Sequence, residues 1–217
     1  MANQDVRNRH IRGQPLVYRI FLASPGDVQD ERMLARAVIE QIRAERAFRG
    51  RLDLQCIGWD QPGVEVAMEA NLTPQEAIKK GLPKPSECDL VVVILWSRIG
   101  TPLPAEYKKP DGTAYLSGTE WEYQNAIAAG TTVWLYRRSQ APQVAFDDPH
   151  FQEKRQQWDK VEAFFRGLVG KGGSLTGGVN AYQASDEFRR QFEQHLRDRL
   201  TAVVEELTPI FIQTWQP

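Results

Sequence analysis

The sequence predicts an α/β protein, a central sheet of five mostly parallel strands with helices on both faces. Three observations predict it. Apolar runs of strand length alternate with stretches of helical periodicity along nearly the whole chain. One run, Asp89 to Trp96 (DLVVVILW), is continuously apolar and valine-rich after its first residue, so it needs burial on both faces, as a central parallel strand does. The first two strand candidates run straight into turns built on Pro and Gly, as a strand-to-helix crossover requires.

In chain order, residues 1–14 read as a polar, flexible tail and 15–217 as one domain. Val17 to Ala23 is the first strand and ends in Ser24-Pro25-Gly26-Asp27. A helix follows over about Val28 to Glu45, its apolar residues at helical spacing. Leu52 to Trp59 alternates like a strand and meets Asp60-Gln61-Pro62-Gly63. Thr73-Pro74-Gln75-Glu76 opens a helix that stops before Pro83. Strand three, 89–96, leads into a long loop from Ser97 to Ser117. A helix spans about Thr119 to Ala129 and ends at Gly130, a natural C-cap. Thr132 to Tyr136 is the fourth strand and Phe151 to Leu168 an amphipathic helix. The Gly170–Gly178 stretch lacks phosphate-loop order and reads as a linker. Asn180 to Gln183 is a short edge strand. Ser185 caps a closing helix to Leu207 with Phe188, Phe192, Leu196, Leu200 and Val203 as its apolar stripe. This alternation is that of a flavodoxin-like, three-layer α/β/α fold with right-handed crossovers.

Composition narrows the function. Hydrophobic residues are 41% and charged residues 25%, enough apolar material for a core in a chain of 217 residues. A formal net charge of -1 gives no global field for nucleic acid or an anionic membrane, so neither is expected as a partner. The two cysteines, Cys56 and Cys88, read as buried thiols of a reducing compartment. The three histidines have no ligand spacing, so no metal is expected. The polar start has no signal-peptide core and no stretch approaches the roughly 20 apolar residues of a membrane span; the expected location is the cytoplasm.

In sheets of this kind, ligands bind beyond the carboxyl ends of the strands where the strand order reverses. The first and third strands flank that point. The residues that follow them are Ser24, Pro25, Gly26 and Asp27 on one side and Trp96, Ser97, Arg98 and Gly100 on the other. Each has a structural alternative. Ser24 and Asp27 suit a turn and a helix cap as well as a ligand. Trp96 and Trp59 suit the core as well as a stacking face. Arg98 suits a phosphate. Arg137 and Arg138 suit a solvated pair more than the same rim. On the next helix, both Ser117 with Glu120 and Thr119 with Glu122 match a capping box. Either acid also favours the helix dipole.

Five segments together resemble the Toll/interleukin-1 receptor (TIR) superfamily, and within it the bacterial TIR-like effectors found at the N-terminus of STAND NTPases and antiphage defence proteins. They are RIFLASPGDVQDER (19–32), WDQPG (59–63), CDLVVVILWSRIGTP (88–102), SGTEWEYQNAIAAG (117–130) and YQASDEFRRQFEQHL (182–196). The resemblance implies an NAD+ hydrolase that cleaves the nicotinamide–ribose bond, with NAD+ as substrate and no other cofactor. It implies Glu122 as the catalytic acid, because a small residue, Ala126, lies four positions on. Thr119, Glu120 and Trp121 stand where the family commonly has a Trp-Cys pair before the glutamate, which keeps Glu120 as an alternative. Asp60, Pro62 and Gly63 resemble a loop used in assembly. The implied partners are further copies of the chain and a STAND NTPase or other sensor.

The chemistry is reasonable for these residue types. Nicotinamide leaves as a neutral base, so one carboxylate that holds the ribose and stabilises an oxocarbenium-like state suffices, without metal or histidine. Two other readings remain. One is a TIR-like adaptor without catalysis. The other is an enzyme like the nucleoside deoxyribosyltransferases, which also sets a carboxylate on a glycosidic bond. A phospho-acceptor receiver is disfavoured, because no suitable lysine follows the last strand.

Overall fold

A computed structural model of the chain describes residues 14–58, 82–168 and 178–213. The strands are β1 (Leu16–Ala23), β2 (Leu52–Ile57), β3 (Leu90–Leu95), β4 (Thr132–Arg138) and β5 (Val179–Tyr182). The α-helices are α1 (Gln29–Ala44), α2 (Gly118–Ala128), α3 (Phe151–Gly167) and α4 (Ser185–Gln213). The sheet order is β2-β1-β3-β4-β5 and every pairing is parallel. This is the flavodoxin-like arrangement, with the order reversing between β1 and β3. The predicted helix beginning at Thr73, the Trp59–Gly63 turn, most of the 170–178 loop and the tail to residue 13 lie outside the described residues.

The pattern of the strands explains the layering. β3 is buried at all six positions and β1 at every position except Val17 and Arg19. Alternate side chains therefore feed two cores. Tyr18, Ile20, Leu22, Val92, Ile94 and Tyr136 face α1 and α4, where Val38, Ile39, Phe188, Phe192 and Leu196 pack. Phe21, Ala23, Val91, Val93 and Leu95 face α2 and α3, which supply Tyr123, Ala126, Val161, Phe164 and Phe165. The predicted stripe of the closing helix is fully used: Phe188, Phe192, Leu196, Leu200 and Val203 are all buried. Among the described residues, no helix is long and apolar enough to cross a membrane.

Several boundaries differ from expectation. A 3-10 turn, Gly26–Val28, precedes α1, so the helix proper starts at Gln29. β3 stops at Leu95, its last residue paired with β4, and the Trp96 indole N–H donates to the Gln140 carbonyl (2.7 Å). β4 runs two residues further than predicted and includes Arg137 and Arg138, because β5 pairs with it through Arg138↔Tyr182. These arginines are not a solvated pair. Arg137 pairs with Glu162 over the Phe165 ring, and Arg138 pairs with Glu31 over the Trp96 ring. Ser185 is the first residue of α4, and its hydroxyl donates to Glu31 (3.3 Å) instead of capping the helix as expected. The closing helix itself runs past Leu207 to Gln213. Of the two cysteines, Cys88 is buried and Cys56 half-buried, and neither is in a disulfide.

Candidate functional site

The two loops at the reversal point are joined by one side chain. Asp27, in the turn after β1, accepts at Oδ2 from the Ser97 amide (2.8 Å), the Ser97 hydroxyl (2.9 Å) and the Arg98 amide (3.1 Å). Its Oδ1 is buried and has no hydrogen-bond partner among the described residues. Asp27 therefore acts as a clamp between β1 and β3, and one carboxylate oxygen remains unused. Ser24 is 2% exposed. Its hydroxyl and the carbonyl of Pro25 accept from the buried Arg32 guanidinium, each at 3.1 Å. Ser24 and Asp27 thus both brace the turn, and neither side chain caps the helix that follows. Arg98 is exposed, and among the described residues its guanidinium makes no hydrogen bond or ion pair.

The loop after β3 is fastened to α2. Gly100 has φ +111, and a Cβ there would meet Ser117 Cβ at 3.3 Å and Thr119 Oγ1 at 3.4 Å. Only glycine has free access to that backbone conformation. Ser117 is the N-cap of α2. Its hydroxyl accepts from the Glu120 amide (3.1 Å) and donates to the Ile99 carbonyl (2.6 Å). Glu120 completes the cap from the other side, accepting from the Leu116 amide (2.5 Å) and pairing with Lys109 (2.7 Å). Neither predicted capping box closes as such: Ser117 caps the helix, but the Glu120 carboxylate returns to the Leu116 amide, one residue before the cap, and Thr119 and Glu122 make no cap bond to each other. Glu120 is thus held by a backbone amide and Lys109.

Glu122 is left over. It is 2% exposed and has no hydrogen bond or ion pair among the described residues. It shares the inward face of α2 with Ala126, which packs in the core on that side of the sheet. The helix itself packs against β1, β3 and β4. Burial pushes the Glu122 carboxyl up to about 8, so it carries its proton at neutral pH. A buried carboxyl without a partner is costly to keep, and such groups concentrate at functional sites. Trp96 sits at the same rim, with one ring face covered by the Arg138 guanidinium 4.1 Å from its centroid. Trp59, Asp60, Pro62 and Gly63 fall outside the described residues.

One cluster at this rim escaped sequence reasoning. Glu31, 1% exposed, accepts from Arg138 (3.2 Å) and from Ser185, with the Tyr182 hydroxyl beside it. Burial, then the Glu31 charge, holds the Tyr182 hydroxyl well above its ordinary value. The only signal was an acid in the first turn of a helix, which describes many solvated residues equally well. Among the described residues, no group of three His, Cys, Asp or Glu side chains is placed to hold a metal.

Fold and rim together define an α/β protein of the flavodoxin-like class, with a buried glutamate that has no partner among the described residues on the helix that follows the reversal point. Residues 19–197 match the family described as a domain of unknown function, DUF4062, and the chain belongs to that family. No curated protein matches it. Among solved structures it is similar to a 2-desoxiribosyltransferase from Leishmania mexicana, at 14% identity over 82% of this chain and 98% of that one, with a TM-score of 0.37. That likeness is distant, and the fold rests on the strand order above.

Proposed function

We propose that this protein is an enzyme that breaks the N-glycosidic bond of a nucleotide, with Glu122 as the carboxyl group at the sugar and NAD+ as substrate. One observation carries the reading: an acid on the inward face of α2 is buried and, among the described residues, unpaired, while its neighbour Glu120 is held by a backbone amide and Lys109. A site with one available carboxyl suits a leaving group that departs neutral, as nicotinamide does. The ionised carboxylate would hold the ribose hydroxyls and stabilise positive charge developing at the sugar. The positive charge of the nicotinamide ring would itself favour ionisation of Glu122 on binding. Arg98, with its guanidinium uncommitted, suits a phosphate of the substrate. Nicotinamide and ADP-ribose, linear or cyclic, are the products of this reading.

At 2% exposed, Glu122 cannot meet a substrate without local opening. That supports a protein switched on by assembly with further copies or with a sensor module, as an effector of antiviral defence would be. A second reading keeps the carboxyl and changes the substrate to a 2-deoxynucleoside, the transfer named for the Leishmania protein. It draws support from the proton on Glu122, which a departing base could take.

The test is product analysis on concentrated protein with and without a crowding agent. NAD+ should yield nicotinamide and ADP-ribose, and Glu122→Gln should lose at least about a hundredfold in rate, while Glu120→Gln keeps the chemistry. Transfer of a base between deoxynucleosides with NAD+ untouched would select the second reading. Equal rates for wild type and Glu122→Gln would end both.

A further inference from the structure

The connection from β4 to α3 leaves an aromatic groove that the proposed chemistry does not use. Its volume is about 440 Å³ and Pro142, Val144, Phe146, Phe151, Arg155 and Trp158 line it. Phe146 is 98% exposed, although large apolar side chains are normally covered. Its ring lies nearly parallel to that of Phe151, with centroids 6.2 Å apart and planes 12° from parallel, so the two present one aromatic wall. Trp158 is half-buried at the same groove. The mouth is cationic in its free donors. Arg155 spends only Nε on Asp159 (3.2 Å), and among the described residues its two terminal nitrogens make no bond. Lys154, also in the lining, is anchored by Asp148. Asp148 and Asp159 are thus engaged, while two guanidinium donors of Arg155 remain open.

The groove belongs to the same end of the molecule as Glu122. The residue before Trp158, Gln157, accepts from the Ile99 amide (3.3 Å), and the Ile99 carbonyl accepts from the N-cap of α2. Groove and helix are therefore braced on one loop.

We propose that this groove binds the base and phosphate of a nucleoside 5′-phosphate, as the second half of the dinucleotide whose glycosidic bond meets Glu122. An aromatic wall offers a face to any base, and a guanidinium beside it offers two parallel donors to a phosphate. A volume of about 440 Å³ lies within the range of pockets that hold small ligands. The identity of the ligand rests on the reading of the protein as a dinucleotide-cleaving enzyme, but binding can be measured without any cleavage.

The experiment is equilibrium dialysis of the whole chain against AMP, followed by steady-state kinetics with NAD+. AMP should bind wild type and Glu122→Gln alike. Phe146→Ala, which removes a side chain that the fold does not bury, should weaken AMP about tenfold. Arg155→Gln should weaken AMP by a similar factor. In turnover, Phe146→Ala should raise KM and leave kcat unchanged. The proposal is overturned if millimolar AMP does not bind, or if Phe146→Ala binds AMP as wild type does. It is equally overturned if that variant changes only the sedimentation of the protein, because the groove would then seat a second copy. Binding at the groove without NAD+ cleavage sinks the enzyme reading alone. Cleavage with an unchanged KM in Phe146→Ala sinks the groove alone.

Discussion

Glu120 and Glu122 are two residues apart on one helix and have opposite fates, and the difference is a matter of partners. Glu120 finds a backbone amide and Lys109, so burial is compensated. Glu122 finds neither, and its carboxyl stays protonated up to about pH 8. The consequence for stability has a definite sign. Below the ordinary carboxyl range both folded and unfolded chains hold the proton, and Glu122 contributes nothing. Between about pH 4.5 and 8 the unfolded chain releases it and the folded one does not, so stability falls as pH rises. The full span corresponds to several kcal/mol, on the order of 5. Glu122→Gln should remove that slope: its melting temperature should exceed wild type at pH 8 and match it near pH 4.5. A thermal-melt series across this range checks it, and parallel curves for the two proteins would refute it. Glu120→Gln should behave oppositely, losing about 1–3 kcal/mol at neutral pH, because Lys109 is left without its charge partner. Sequence spacing placed both acids in the first turns of a helix and both in a possible capping box. It could not choose between them, because the choice depends on Ile99 and Lys109, which reach the helix only through the preceding loop.

At the scale of elements, the strands and helices were legible because each has a one-sided or two-sided apolar pattern. β3 is legible for the plainest reason: a valine-rich run can be buried only with neighbours on both sides. The ends were less legible. β4 continues through two arginines because Glu162 and Glu31 meet their charges from α3 and α1, and no local pattern in β4 encodes those partners. The stretch from Ser97 to Ser117 reads in the sequence only as a long loop, and its first part is tightly held. Gly100 is the pivot, pressed against the N-cap of α2 at positive φ. Gly100→Ala should cost about 1–3 kcal/mol through backbone strain and the close approach to Ser117. Because Ser117 fixes the start of the helix that carries Glu122, the same change should lower turnover more than it raises KM. Urea denaturation and kinetics on one preparation separate the two effects. Asp27→Asn tests the other anchor of this loop. The amide retains shape but loses the charge that draws three donors, and a loss of about 2–3 kcal/mol is expected.

Across the whole molecule, the rim holds together through charges that the sheet brings from four elements. Glu31 comes from α1, Arg138 from β4, Tyr182 from β5 and Ser185 from α4. These residues are up to 154 positions apart in sequence, which is why no motif reveals them. The cluster lies on the α1 and α4 face of the sheet, opposite the face that Ala126 and α2 cover, and Arg138 lies across Trp96 as well, so a single guanidinium couples β4 to the end of β3. Burying such a pair is not in itself stabilising, because removing both charges from water offsets their attraction. Breaking it is a different matter. Arg138→Met alone strands the Glu31 carboxylate, which is 1% exposed, and should cost about 3–5 kcal/mol. Glu31→Leu alone leaves the Arg138 guanidinium, only 17% exposed, without its charge partner, although its bonds to Gln140 remain, and should destabilise less. The double variant strands neither, so it should be far more stable than the sum of the singles, and close to wild type. A double-mutant cycle by chemical denaturation measures this directly. Additive losses would mean that the two side chains act independently and that the rim is held by packing. A double variant that folds well but binds AMP and turns over NAD+ as before would assign the cluster to architecture alone. A double variant that folds well but turns over poorly would make Arg138, through Trp96, a positioning residue for the loop between β3 and α2.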